Sequence, residues 1–282
     1  MTTSMTIQKN IARFFEYSFC VLVTLVVLVP LYLAVTGGMK SMGQLVTEPL
    51  AWPAPMQAFQ YFDLLNGTTG TFWKSMTNSL IVAGGSVFGT LVICSMAAFA
   101  LARLRFRANA PIHSYFMLGL LFPLAVAILP LYLQVRSAGL LDSYLGVIIP
   151  QIAFQVPMNV LLLRGFFLGI PKDLEDACAI DGYGPLRFLW HMVLPLSTPI
   201  LATVGVLVLV GSWNNFFLPL LVFNNPNLFT LPMGVMDFQG QHATSWNLIL
   251  GYLALAMVPA VILFIAAQRY IVAGLTGGAV KG

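Results

Sequence analysis

Residues Pro171 to Pro195 read PKDLEDACAIDGYGPLRFLWHMVLP. The segment holds Asp173, Glu175, Asp176 and Asp181, four of the nine acidic residues of the chain. Pro171 suits the first turn of a helix, where its missing N–H is an orphan in any case. Asp173, Glu175 and Asp176 fall in the first turns, where the helix dipole favours negative charge. Leu174, Ala177 and Cys178 recur at three- and four-residue spacing and predict one apolar face. Gly182 predicts a left-handed cap ending this helix. Pro185 then starts a second short helix, on which Leu186, Leu189, Trp190 and Val193 are expected to share a face, and Leu194-Pro195 closes the unit. So much acid on an amphipathic pair, in a chain otherwise almost free of charge, predicts a docking surface for a soluble partner. An amphipathic hairpin in the membrane interface is the plainer reading of the same pattern.

Outward from this segment the chain is apolar. With 59% hydrophobic residues, 8% charged residues and a mean hydropathy of +0.89, it lies outside the range of soluble domains. A transmembrane helix needs about 20 apolar residues. Charge-free runs at Tyr17–Met39, Ser75–Ala102, Ala108–Val135, Ser143–Leu163 and Phe238–Gln268 each supply one. Phe188–Met236 is long enough for one helix plus a re-entrant or outer loop. The fold class is therefore all-α and transmembrane, with six helices; a β-barrel would show short alternating segments instead. With the N-terminus inside, Lys9, Arg13, Arg103, Arg105, Arg107, Arg164, Lys172, Arg187, Arg269 and Lys281 are cytoplasmic, and only Lys40, Lys74 and Arg136 lie outside. That bias puts both termini and the acidic segment in the cytoplasm, and it makes the pI near 9.1 a matter of topology rather than of nucleic-acid binding. The first span lacks a small-residue cleavage site and reads as a retained anchor. Cys20, Cys94 and Cys178 suggest no pairing.

The order Glu175-Asp176-Ala177-Cys178-Ala179-Ile180-Asp181-Gly182, nine residues, then Met192-Val193-Leu194-Pro195, resembles the EAA loop of ABC-importer permeases. That pattern is roughly E-A-A-x-x-x-G, nine residues, I-x-L-P. Asp176 stands where the family has Glu, Cys178 where it has Ala and Met192 where it has Ile, all conservative in size or charge. Ala102-Arg103-Leu104-Arg105-Phe106, Leu163-Arg164-Gly165-Phe166-Phe167 and Gly211-Ser212-Trp213-Asn214-Asn215 are similar to segments of the carbohydrate-uptake, maltose-type class, with Asn215 replacing the usual Asp. The Gly- and Ala-rich end of the chain looks like that class too. The resemblance covers roughly residues 75 to 282. It implies a permease subunit of a bacterial inner-membrane importer that depends on a binding protein, paired with a second permease subunit. It further implies two cytoplasmic ATPase subunits and a periplasmic or lipid-anchored solute-binding protein as partners, besides membrane lipid. ATP and Mg would sit on the ATPases and no cofactor on this chain. Glu175, Asp176, Ala177, Cys178, Asp181, Gly182, Leu194 and Pro195 would couple to the ATPases. The loop from Asn224 to Trp246, with Asn224, Asn225, Gln239 and Gln241, would reach the binding protein.

The organisation expected from this is a cytoplasmic lead (1–16), a first helix (17–36), an outer loop (37–74) and a core of five helices (75–282) that ends in a small-residue tail (268–282). The outer loop is too short for a core of its own and reads equally as a ledge or as a plain connector. Gly85 and Gly89 form a GxxxG pair that would let another helix approach closely. Pro123 and Pro130 predict a kinked third helix. On the fourth, Gln151, Gln155 and Asn159 form one polar stripe at four-residue spacing. It reads either as a solute path, together with Asn214 and Asn215, or as interhelical hydrogen bonding.

The residues of an enzyme are missing from the sequence. No lysine follows a glycine as a P-loop requires, there is no HExxH, and His113, His191 and His242 lie far apart. No ionisable relay crosses the spans, which argues against an ATP-independent secondary transporter, and no filter-like loop supports a channel. Those two remain the alternative reading. Uncharged amides suit a hydroxyl-rich solute better than an ion, with oligosaccharide, monosaccharide, polyol and glycerol phosphate ester all open.

Overall fold

A computed structural model describes residues 2–67, 71–239 and 244–279, the side chains of 2–12, 267 and 269–279 excepted. The described residues are helical nearly throughout: α1 (Thr2–Gly37), α2 (Met42–Thr47), α3 (Phe59–Asn66), α4 (Phe72–Arg103), α5 (Asn109–Gly119), α6 (Leu124–Ser137), α7 (Tyr144–Leu168), α8 (Lys172–Ile180), α9 (Pro185–Phe188), α10 (Leu194–Leu196), α11 (Thr198–Trp213), α12 (Phe217–Val222) and α13 (Trp246–Ala279). Four stretches are long and apolar enough to cross a membrane: Arg13–Gly37, Phe72–Arg103, Tyr144–Leu168 and Trp246–Ala266. The other two expected spans are bent pairs.

The third span is broken rather than kinked. Its halves, α5 and α6, meet at 103°. The last turn of α5 tightens, with Leu120, Leu121 and Phe122 each donating N–H to the carbonyl three residues back. Pro123 then leaves the helix at ψ 132°, because it cannot donate and it biases its predecessor away from helical geometry. Pro130 stays inside α6. The fifth span bends by 80° between Leu196 and Thr198, and its helix stops at Trp213. Asn215 caps a new helix there, its Oδ1 accepting the Leu218 N–H at 3.1 Å. The last helix does not end at residue 267 but continues to Ala279.

The chain forms two compact units, 1–72 with 235–258, and 73–234 with 259–282. In the first, Gly38 lies against Gly251 so closely that a Cβ on Gly38 would stand 2.5 Å from the Gly251 Cα. Tyr252 is fully buried between Phe72 and Phe238, with ring centroids 5.7 and 5.6 Å away. In the loop after α1, Ser41 and Gln44 close a capping box on α2, and the buried Lys40 donates from Nζ to the carbonyls of Glu48 and Pro49 at 3.0 and 2.7 Å.

The second unit is built on α4, α7 and α11. A Cβ on Gly85 or Gly89 would meet Ile148 at 2.7 Å or Ile152 at 2.4 Å, so the two glycines seat two isoleucines spaced one turn apart on α7. This close packing matters because lipid leaves helices little hydrophobic drive to associate. Towards the ends of α4 and α7, Cys94, Phe99, Val160 and Phe167 pack with Cys178, Phe188, Leu189 and Val193, which anchors the acidic segment to the spans.

Candidate functional site

The acidic segment folds as two short helices. Asp173 and Glu175 occupy the first turn of α8. Gly182 adopts φ 77°, its N–H reaching the Ala179 carbonyl at 3.1 Å while the Tyr183 N–H reaches that of Cys178 at 2.9 Å. This is the two-bond cap that favours glycine. Of the predicted apolar face, Cys178 is buried and Leu174 half-buried, whereas Ala177 is exposed. The second helix departs from its predicted face. Between α9 and α10 the turn Leu189–Val193 is a π-helix, with the Leu194 N–H bonded to the Leu189 carbonyl. The wider turn sends Leu189 and Val193 inward beside Phe188 and leaves Leu186 and Trp190 outside. Ile180 is 87% exposed and Trp190 55%, so the segment exposes an apolar surface among Asp176, Asp181 and Arg187. The Arg187 guanidinium lies 4.3 Å from the Tyr183 ring centroid. Leu194 is half-buried and Pro195 exposed.

One residue missing from the predicted site adds a polar tie between this segment and the spans. Arg103, the last residue of α4, has a side chain only 4% exposed, and Nη1 lies 3.2 Å from Oε2 of Glu175. Its Nη2 donates to the Phe167 carbonyl at 2.6 Å and also to that of Ile170. One guanidinium therefore joins the end of α4, the end of α7 and the first turn of α8. Its fork geometry suits several acceptors at once. The sequence marks Arg103 as one of the basic residues flanking the second span and as part of the family-like segment 102–106, without pointing to its partners.

Within the membrane the polar stripe divides. Gln151 is buried, and its Oε1 accepts from Ser86 of α4 at 2.8 Å and Ser212 of α11 at 2.6 Å, pinning three helices together. Its Nε2 is buried without a partner. Asn159, also buried, donates from Nδ2 to the Gln155 carbonyl at 2.8 Å, and Gln155 is half-buried. Asn214 is exposed and donates to the Val210 carbonyl at 3.0 Å, while Asn215 serves as the cap of α12. The structure does not gather the five amides on one surface: Gln151 faces its neighbours and Asn214 faces out.

At the other end of α4 and α7, Asn78 donates to the carbonyls of Asn227 and Phe229, both at 2.9 Å, and accepts from the Tyr144 hydroxyl at 2.7 Å. Lys74 Nζ donates to Asn227 Oδ1 at 2.6 Å, and Ser79 Oγ accepts the Leu231 N–H at 2.8 Å. Asp142 accepts the N–H groups of Asn224 and Asn225 at 2.6 and 2.9 Å, which holds its carboxyl below the usual range; the Asn225 bond contributes most. Asn224 and Asn225 are exposed, as is Gln239, which bridges to Thr244; Gln241 lies outside the described residues.

Residues 89–277 match the family described as the binding-protein-dependent transport system inner membrane component. A sulfoquinovosyl glycerol transport system permease protein of Agrobacterium fabrum is 36% identical over 251 residues, covering 86% of this chain and 85% of the relative. An arabinooligosaccharides transport system permease protein of Bacillus subtilis is 31% identical over 278 residues, 98% of both chains. In fold, the chain is similar to one from the crystal structure of a bacterial ABC transporter involved in the import of the acidic polysaccharide alginate. The TM-score is 0.78 at 22% identity, covering 92% of this chain and 96% of that one.

Proposed function

The chain belongs to the binding-protein-dependent transport system inner membrane components, and from that premise we propose that it is the permease subunit of an ATP-driven importer for a sugar or related polyhydroxylated solute. Permeases named for sulfoquinovosyl glycerol and for arabino-oligosaccharides, at 36% and 31% identity, support the solute class. The observation that carries the coupling mechanism is the joint at Arg103. Of the two cytoplasmic ATPase subunits, one docks on the apolar surface around Ile180, Leu186 and Trp190. Their closure displaces α8, and the guanidinium hands that displacement to α4 and α7 together. ATP shifts the permease between states only through contacts that differ between them, and the exposed side chains of α8 and α9 are where such contacts form. A second permease subunit completes the pathway, and a periplasmic or lipid-anchored binding protein delivers solute at the end carrying Asn224 and Asn225. The excess of basic residues around the acidic segment supports an inside location for it and for both termini. Without a phosphate-binding loop in its sequence, the chain draws its energy from those partners.

A mild-detergent pull-down of the tagged chain from its native membranes tests the assembly. An ATPase and a second permease of the same family co-purify if the proposal holds; recovery of the chain alone overturns it. Gly182→Pro tests the coupling itself. Proline cannot adopt φ 77°, so uptake is lost while membrane insertion is retained, and normal uptake by this variant would refute the role of the cap.

A further inference from the structure

The ledge after the first helix turns its apolar side chains outward. Leu50, Trp52, Phe59 and Phe62 are exposed, Trp52 at 66% and Phe62 at 65%. In α3 the pattern is inverted relative to a helix on a water-facing surface: Phe59 and Phe62 stand out one turn apart, while Gln60 and Leu64 are buried. The Gln60 amide is used up inside, donating to Gln57 Oε1 and the Lys40 carbonyl and accepting from Asn247. Large aromatic groups side by side on a surface mark a contact site.

Two hydrogen bonds set the depth of this surface along α1. The Tyr32 hydroxyl donates to the Leu50 carbonyl at 3.1 Å, and the Tyr61 hydroxyl to the Val35 carbonyl at 2.7 Å. Residues 50 and 61 therefore lie alongside the last turns of α1 and not beyond its end. Tyr32 is about 7 Å down the axis from Gly37, at about 1.5 Å per residue. The hydrocarbon core is about 30 Å thick, or about 20 helical residues. Counted from Tyr17, the first residue after the charge of Glu16, it ends near Thr36. Tyr32, and with it Leu50, thus stands about 6 Å short of that end, in the outer acyl region just below the headgroups, and Trp52 two residues on is near the depth that tryptophan prefers.

We propose that residues 46–62 form an interfacial anchor, with Leu50, Trp52, Phe59 and Phe62 inserted among lipids at the end of α1 away from Arg13. Lys40 is its positioning residue: by holding the carbonyls of Glu48 and Pro49 it fixes the turn from which Leu50 and Trp52 project. The occupant is lipid because depth matches it, and because Glu48 and Asp63 are the only charges between residues 41 and 66 to steer a polar partner. The anchor is independent of the solute and of the ATPase contact.

The test uses the full chain, purified without the ATPase subunits so that α8 is uncovered, and reconstituted in phosphatidylcholine nanodiscs. Single cysteines replace Trp52, Phe62 or, as a water-exposed reference, Asp181, in a background where Cys20, Cys94 and Cys178 are alanine. Each carries an environment-sensitive fluorophore. Lipids with a nitroxide near the headgroup quench the labels at 52 and 62 several-fold more than the label at 181, and more than lipids with a deep nitroxide do. Aqueous iodide shows the reverse ranking. Iodide quenching at 52 and 62 equal to that at 181 places the ledge in water and overturns the proposal. Protection from both quenchers also overturns it, by placing a protein partner there. Two label positions guard against one variant failing to assemble, and Lys40→Met lowers lipid quenching at 52 more than at 62 if Lys40 sets that turn.

Discussion

The two ends of the α4–α7 pair are fastened by opposite strategies. Around Asn78 the fastening is distributed: Lys74, Asn78, Ser79 and Tyr144 share bonds with one another and with the backbone from Asn227 to Leu231. At the other end the polar fastening centres on one buried cation, Arg103, which bonds both α7 and α8, with one further bond from Arg164 to the Leu101 carbonyl at 3.4 Å. A distributed lattice resists relative movement, because shifting one member strains the rest. A hub lets three elements move as one while they turn about it. Large apolar groups are exposed at both ends, Trp73 and Leu145 at the distributed end and Ile180, Leu186 and Trp190 at the hub end. The difference fits the proposed coupling, with work entering at the hub end and the lattice serving as the fixed frame.

The largest expected effect tests that asymmetry directly. Arg103→Ala leaves two carbonyls unfilled and Glu175 without its counter-charge. Removing one partner of a buried pair costs about 3 to 5 kcal/mol, and the partial exposure of Glu175 puts this case at the low end. Thermal unfolding of the purified assembly and ATP-driven uptake should both fall sharply. Arg103→Lys restores stability only in part, since an ammonium lacks the planar fork. Asn78→Ala should cost about 1 to 2 kcal/mol and leave uptake measurable. Equal losses from Arg103→Ala and Asn78→Ala would break the comparison.

Between the two ends the pair is held by shape. Gly89→Leu places a branched side chain where a Cβ alone would stand 2.4 Å from Ile152 Cδ1, and such overpacking costs about 1 to 3 kcal/mol. Gly84, with nothing within 4 Å of its Cβ position, accepts alanine without loss. A smaller effect is expected at Gln151→Leu, because hydrogen bonds between membrane helices average about 0.6 kcal/mol and the freed hydroxyls of Ser86 and Ser212 can turn to carbonyls of their own helices. Uptake that follows the small stability change confines Gln151 to packing. Uptake lost well beyond it would return Gln151 to the solute path.

Much of this frame was legible in the sequence, and what was not has physical reasons. The six apolar runs were visible because a lipid core demands about 20 such residues at a time. Gly85, Gly89 and Gly182 were legible because only glycine suits a close contact or a positive φ. Arg103 was not, since its partners lie 64 to 72 residues away and every membrane protein carries basic flanks. The polar stripe announced Gln151 but not its direction, because Ser86 and Ser212 carry no signal in so small-residue-rich a chain. The break at Pro123 and the π-turn at Leu189–Val193 escaped for a shared reason. Membrane helices tolerate both proline and bulges, so the residues alone do not fix the angle.

The smallest predicted effect sharpens the account of the fixed frame. Asp142 sits at φ 52°, its own N–H bonded to the Val222 carbonyl at 3.0 Å while its carboxylate accepts the N–H groups of Asn224 and Asn225. Those bonds favour the charged form and lower its pKa. A lowered folded-state pKa means stability that is fully present above the unfolded value of about 3.9 and is lost as pH falls through the folded value. Asn tolerates the same left-handed backbone, so Asp142→Asn preserves the turn but accepts more weakly than a carboxylate. The midpoint gap between wild type and Asp142→Asn is therefore small, constant from about pH 7 to about pH 5, and closes below about pH 4. A gap that persists under acid would assign the effect to backbone shape instead of charge. The charge of Asp142 would then add nothing to the frame, leaving Lys74 as its charged donor against the Arg103–Glu175 ion pair at the other end.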